Sequence, residues 1–176
     1  MSATTINASV ALWLGLSYMS GVVGCTLMTF SPSWKEWYAH LKKAPWSPPN
    51  YAFAPVWFVL YSLRGLASWL AFRAIDKAPS PVVWHLCWAF GIVTLALNAS
   101  WVPVFFGLRA IRLALLVLLL TLASAIVHAG LCWSIDQLTG ALLVPEILWL
   151  LLAFSLNLYV VVCNEVAKED DKSKHQ

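Results

Sequence analysis

Charge is missing from this chain in long blocks, and the blocks decide the fold class. No ionised residue occurs within 1–30, between Lys77 and Arg109, or between Arg112 and Asp136. Only Arg64 interrupts the apolar run that ends at Arg73, and only Glu146 the run from Asp136 to Glu165. A helix needs about 20 mostly apolar residues to cross a bilayer, and each of these five stretches reaches that length. Spans are predicted near 6–30, 52–73, 81–106, 112–134 and 140–163. The strands of a membrane barrel would show alternating segments of about ten residues, and 113–122 does not alternate. At 11% charged residues the chain cannot coat a soluble globule, which carries about a quarter. Disorder needs low hydrophobicity and high charge, so it is excluded except at the ends. Four cysteines in 176 residues are too sparse for a secreted disulfide scaffold. The chain is read as an all-α membrane protein, a five-transmembrane-helix bundle forming one domain over 1–164, with a solvated polar tail at 165–176.

Five spans place the two termini on opposite sides. One side then carries Lys35, Lys42, Lys43, Arg109, Arg112, Lys168, Lys172 and Lys174, and the other only Arg73 and Lys77. The positive-inside rule makes the tail side cytoplasmic. No basic region precedes the first span, which is read as a retained helix rather than a signal peptide.

The longest connection, 31–51, is stiffened by Pro45, Pro48 and Pro49, which forbid a continuous helix. It also carries Trp34, Trp37, Tyr38, Trp46 and Tyr51. An interfacial belt accounts for single rings. The loop as a whole is read as a rigid lid over the cytoplasmic end of the bundle, because belts do not require Pro-x-x-Pro-Pro.

Three groups of residues carry a family resemblance. The first is Trp37-Tyr38, Lys43-Ala-Pro45-Trp46-x-Pro48-Pro49 and Phe53-x-Pro55-Val-Trp57-x-x-Leu60-Tyr61. The second is Leu97-Asn98-x-x-Trp101-x-Pro103-x-Phe105-Phe106-Gly107-x-Arg109. The third is Leu143-x-Pro145-x-x-x-Trp149-x-x-x-Ala153-x-x-Leu156-Asn157. In this order and spacing they resemble the tryptophan-rich sensory protein family, also called the translocator protein or peripheral-type benzodiazepine receptor family, over about residues 10–163.

The resemblance implies five helices around a pocket under the first loop. Tetrapyrroles such as protoporphyrin and synthetic isoquinoline or benzodiazepine ligands bind there, and some members bind sterols. Carried over, the wall comprises Trp37, Trp46 and Tyr51 from the loop, Trp57 and Tyr61 from helix two, Asn98 and Trp101 from helix three, and Trp149, Ala153 and Asn157 from helix five. Bacterial members are implicated in light-dependent porphyrin breakdown, which assigns Trp57 and Trp149 a catalytic part in that alternative. The main reading is a non-enzymatic receptor or carrier for a tetrapyrrole or sterol. The porphyrin is then a ligand, no cofactor is expected, and the lipid bilayer and a homodimer are the expected partners. A third reading is an interaction protein with a vestigial pocket. The family further implies the mitochondrial outer membrane in a eukaryote and a cell-envelope membrane in a bacterium. Lys172-Ser-Lys174-His-Gln176 resembles a retrieval signal for the endoplasmic reticulum.

Spacing alone agrees with these faces. Trp57, Tyr61 and Arg64 share one side of a helix, as do Asn98, Trp101 and Phe105, and Trp149, Ala153 and Asn157. Flat aromatic walls with a few polar groups suit a large planar guest, while aromatic bundle packing and interhelical asparagine bonds remain the plainer use of the same residues. Asn98 and Asn157 each stand 11 residues before a basic residue, Arg109 and Lys168, about 16 Å into the membrane. A shared ligand or hydrogen bond is expected for them. The stripe Ser17-x-x-x-Gly21-x-x-x-Cys25, like Ala96-x-x-x-Ser100, would admit a close neighbouring helix. His85 and His128 are expected to hydrogen-bond between helices, the four cysteines to pack as small apolar groups, and no metal site is expected. Neither a Ser-His-Asp arrangement, a phosphate loop nor a nucleic-acid stripe is visible, so nucleic acid is not an expected partner.

Three departures from the family pattern stand out. Arg64 replaces a usual Met, and Glu146 a usual Tyr. No basic residue follows Tyr159 until Lys168, which breaks the sterol-associated pattern. Arg64 lies nine residues before Arg73, and Glu146 ten after Asp136. Both spacings correspond to about 13–15 Å of helix rise from the same side. Intramembrane charges face the interior and pair, so an Arg64–Glu146 ion pair is predicted, making the base of the pocket more polar.

Overall fold

The computed structural model describes the backbone of residues 3–28 and 33–166, and the side chains of 9–26 and 33–164. The predicted polar tail lies almost wholly outside the described residues. Every regular element among them is helical: α1 (Ala3–Met28), α2 (Trp34–His40), α3 (Asn50–Arg73), α4 (Pro81–Val102), α5 (Ile111–Ile135), α6 (Gln137–Ala141) and α7 (Val144–Val161). Five segments are long and apolar enough to cross a membrane, with α4 running on to Gly107 and α6–α7 forming the last.

The bundle is apolar on its outer surface, and its largely apolar core also holds a set of buried polar groups. Leu116, Leu119, Leu120, Ile126, Leu148 and Leu151 are exposed to lipid, whereas Ser17, Arg64, Thr94, Thr121, Ser124, His128, Glu146 and Asn157 are buried. Interior hydroxyls find partners within the helices: Thr94 donates to the Phe90 carbonyl at 2.7 Å, and Thr121 to that of Val117 at 2.7 Å. Thr94 and Ser124 also meet at 2.8 Å, tying α4 to α5.

α1 packs on both α3 and α4, and glycines set the approach. A methyl on Gly65 would come within 2.9 Å of the Leu14 Cα, and one on Gly24 within 3.1 Å of the Ala99 carbonyl. Gly65→Ala is therefore expected to push α1 away and lower stability by about 1–3 kcal/mol, read as a lower thermal midpoint in detergent. The Ser17–Gly21–Cys25 stripe serves this intrachain packing too, since a methyl on Gly21 would lie 2.6 Å from Tyr61 Cε2.

Proline and capping chemistry shape the ends. Pro103 has no N–H, and the chain continues through a π-helical turn, Pro103–Gly107, closed by the Leu108 N–H donating to the Pro103 carbonyl at 2.9 Å. Arg109 then adopts a left-handed conformation at φ 54°, uncommon without glycine. Its side chain explains its place: the guanidinium bonds the Ser33 hydroxyl and lies 5.8 Å from the Trp37 ring. At the opposite end, the Asp136 carboxylate accepts from the Thr139 N–H and from Lys77 at 3.2 Å. The Lys77 hydrogen bond holds Asp136 below the usual carboxylate range. This cap starts α6, and the predicted span 140–163 holds the end of that helix, a turn at 142–143 and then α7, whose Pro145 cannot donate to the Ala141 carbonyl.

Candidate functional site

A cavity of about 560 Å³ opens among α1, α3, α4, α5 and α7. α3 contributes Trp57 and Tyr61, four residues apart on one face and stacked at 5.2 Å and 26°. The Tyr61 hydroxyl donates to the Asn98 side-chain oxygen on α4 at 2.9 Å. Trp101 follows one turn later and stacks on Phe105 at 5.0 Å. α7 contributes Ala153 and Trp149, whose ring meets Phe53 edge-on at 5.4 Å. The Trp149 indole N–H is buried without a hydrogen-bond partner. An unpaired buried donor is costly, and no residue of the wall satisfies this one.

Six of the ten wall residues named from the sequence line this cavity: Trp57, Tyr61, Asn98, Trp101, Trp149 and Ala153. The other four do not, and each has another use. Trp37 packs edge-on against Phe105 at 5.5 Å, beneath the loop. Trp46 lies on Tyr159 at 5.4 Å, and its N–H donates to Ser155 at 3.3 Å. Tyr51 is 81% exposed at the start of α3. Asn157 sits behind the wall, its amide oxygen accepting from the Trp101 indole N–H and the Leu115 N–H, each at 3.2 Å. Asn98 and Asn157 therefore share no hydrogen bond; one holds Tyr61 and the other Trp101.

The loop is fastened as well as stiff. Asn164, just beyond α7, accepts from the Lys42 N–H at 2.9 Å and donates to the Lys42 carbonyl at 3.0 Å. Trp37, Tyr38 and Leu41 pack on the core formed by Phe105, Ile111, Ala114, Val160 and Val161. The loop thus closes the end of the bundle through this aromatic plug rather than by supplying the cavity wall.

Arg64 and Glu146 form an ion pair between α3 and α7, with side chains 2% and 4% exposed. Glu146 stands in the first turn of α7, where the helix dipole favours an anion. Glu146 is not joined to Asp136 by one continuous helix, because the chain breaks after α6, and the pair forms nonetheless. Neither residue lines the cavity, so the pair is sealed behind its wall and does not make its base polar.

Several lining residues escape the sequence reading, including Leu118, Thr121 and Leu150; ordinary apolar and hydroxyl residues carry no signal of their own. His85 bonds within its own helix, to the Pro81 carbonyl at 2.6 Å, and does not bridge helices. His128 was read without reference to Cys132 four residues later. In the structure Cys87, His128 and Cys132 come together.

The fold and cavity define an integral membrane protein with an aromatic-lined cavity inside a five-helix bundle. The TspO/MBR family pattern matches residues 10–162. Protein CrtK of Rhodobacter capsulatus is 38% identical over 78% of this chain and 82% of its own length. The human Translocator protein is 36% identical over 69% of this chain and 71% of its own. The Tryptophan-rich sensory protein of Cereibacter sphaeroides is 32% identical over 86% and 90%. The chain belongs to the TspO/MBR family.

Proposed function

We propose that this protein is a membrane receptor or carrier that takes a flat tetrapyrrole of the protoporphyrin type into the aromatic cavity, with a sterol as the second class of guest. The observation that carries the reading is the stacked Trp57–Tyr61 pair in a wall that also holds Trp149, whose indole N–H is buried without a partner. A planar macrocycle stacks on the first, and one of its polar edges accepts from the second. The volume lies within the range of about 300–1,000 Å³ usual for small-molecule sites. Names such as Translocator protein and Tryptophan-rich sensory protein among the relatives agree with carriage and sensing. The sterol reading rests on the cavity alone, because the residues after Tyr159 lack the basic position. The basic side, with the fastened loop, faces the cytoplasm in this reading. The host membrane is the mitochondrial outer membrane in a eukaryote, or else the endoplasmic reticulum, and a cell-envelope membrane in a bacterium. A homodimer is the expected assembly.

Titration of the purified protein with protoporphyrin should quench tryptophan emission at micromolar ligand, saturably. Absence of quenching would leave an assembly protein with a vestigial cavity. Illumination of the complex separates the remaining classes: a stable Soret band belongs to a receptor or carrier. Bleaching that requires Trp57 and Trp149 belongs to an enzyme that oxidises its guest.

A further inference from the structure

We propose that Cys87, His128 and Cys132 form a second site, a buried site for a thiophilic d10 metal ion, Cu⁺ or Zn²⁺. His128 and Cys132 are four residues apart on α5, so their side chains share a face. Cys87 on α4 meets that face, its Sγ 2.9 Å from Cys132 Sγ. One ligand atom from each of the three lies within 4.8 Å of the others. All three are buried, at 2%, 4% and 0% exposure in sequence order. The buried His128 Nδ1 has no hydrogen-bond partner, a cost that a bare packing role leaves unexplained. Gly91 makes room for the ring: a methyl there would come within 3.1 Å of His128 Nε2.

The donor set decides the ion. Two sulfurs and one imidazole nitrogen are soft or borderline ligands that select Cu⁺ or Zn²⁺, while hard ions need oxygen. Ala67, Ala71, Ala129 and Leu143 pack in the same cluster as the two cysteines and exclude such ions further. Three donors suffice for trigonal Cu⁺. Zn²⁺ prefers four, but two thiolates would neutralise its charge, with two protons released on binding. A lateral cavity of about 480 Å³ between α1 and α4, lined by Cys87, Gly91 and His128, offers a way in and space for a fourth ligand. None of the three metal-binding residues lines the aromatic cavity, so the site stands whether or not a tetrapyrrole binds.

The test uses the full chain in detergent, reduced anaerobically with a phosphine and incubated with Cu⁺ or Zn²⁺ before desalting and metal analysis. The wild type should retain about one ion per chain, and the ion better held against a chelator identifies the occupant. Under partial denaturation, bound metal should also slow the reaction of Cys87 and Cys132 with maleimide. Cys87→Ala, Cys132→Ala and His128→Asn should each weaken retention by about tenfold or more; Cys25→Ala with Cys163→Ala should not. The protection assay needs only wild type, so misfolding of a variant leaves the test intact. No retention by the reduced wild type overturns the proposal, as does retention unchanged in Cys87→Ala/Cys132→Ala.

Discussion

Arg64→Met should destabilise the bundle by about 3–5 kcal/mol, the cost of leaving one partner of a buried ion pair uncompensated. The expectation follows from the burial of both side chains and from the absence of water to take up the loss in a membrane interior. Glu146 would keep a carboxylate among apolar groups, with only the first turn of α7 to stabilise it. Adding Glu146→Tyr removes that carboxylate, and much of the lost stability should return. Replacing a whole buried pair by packed uncharged residues is often neutral. The double-mutant cycle is read from thermal unfolding in detergent, followed by tryptophan emission. A double mutant no more stable than Arg64→Met would show that the two charges are not coupled.

Trp57→Ala should weaken protoporphyrin binding by about thirtyfold, equivalent to about 2 kcal/mol for one large apolar side chain withdrawn from contact. Trp149→Phe keeps a ring against Phe53 but deletes the N–H, and a loss of about fivefold is expected for one hydrogen bond. Trp46→Ala should change affinity by less than about twofold, because its ring lies on Tyr159 outside the cavity. Affinities should be taken from the Soret absorbance of the ligand, so that removing an emitting tryptophan does not bias the reading. If Trp46→Ala weakened binding as much as Trp57→Ala, the guest would have to sit under the loop and not within the bundle.

The parts of this molecule that were legible in its sequence are those set by one segment at a time. Charge-poor stretches of spanning length mark the five membrane-crossing segments, because lipid imposes its demand residue by residue. Trp57 with Tyr61, and Trp149 with Ala153, could be put on common faces by helical spacing alone. Arg64 and Glu146 could be paired because membrane charges have few alternatives. What escaped depends on how segments meet. The family resemblance put Trp37, Trp46 and Tyr51 in the wall, but Pro45, Pro48 and Pro49 do not say where the stiffened loop lands. Its seat depends on Asn164, 122 residues away from Lys42. Asn157 was read as a possible ligand contact, yet Trp101 on another helix claims its oxygen. The break between α6 and α7 carries no charge of its own: it falls where Pro145, in the first turn of α7, lacks the N–H that would continue α6, and Gly140 lets α6 lie close to Trp133, a methyl there coming within 2.6 Å of its Cβ. Two of the three members of the cysteine–histidine cluster are in plain view as His128 and Cys132 at helical spacing; Cys87 joins them only in three dimensions.

The central claim is that the aromatic cavity is the binding chamber. An experimental structure of the protein with protoporphyrin tests it most directly. The account predicts the macrocycle inside the bundle, its face on the Trp57–Tyr61 pair and an acceptor within hydrogen-bond distance of Trp149 Nε1. A macrocycle seated in the lateral cavity between α1 and α4, or on the outer surface beside Tyr51, would contradict it.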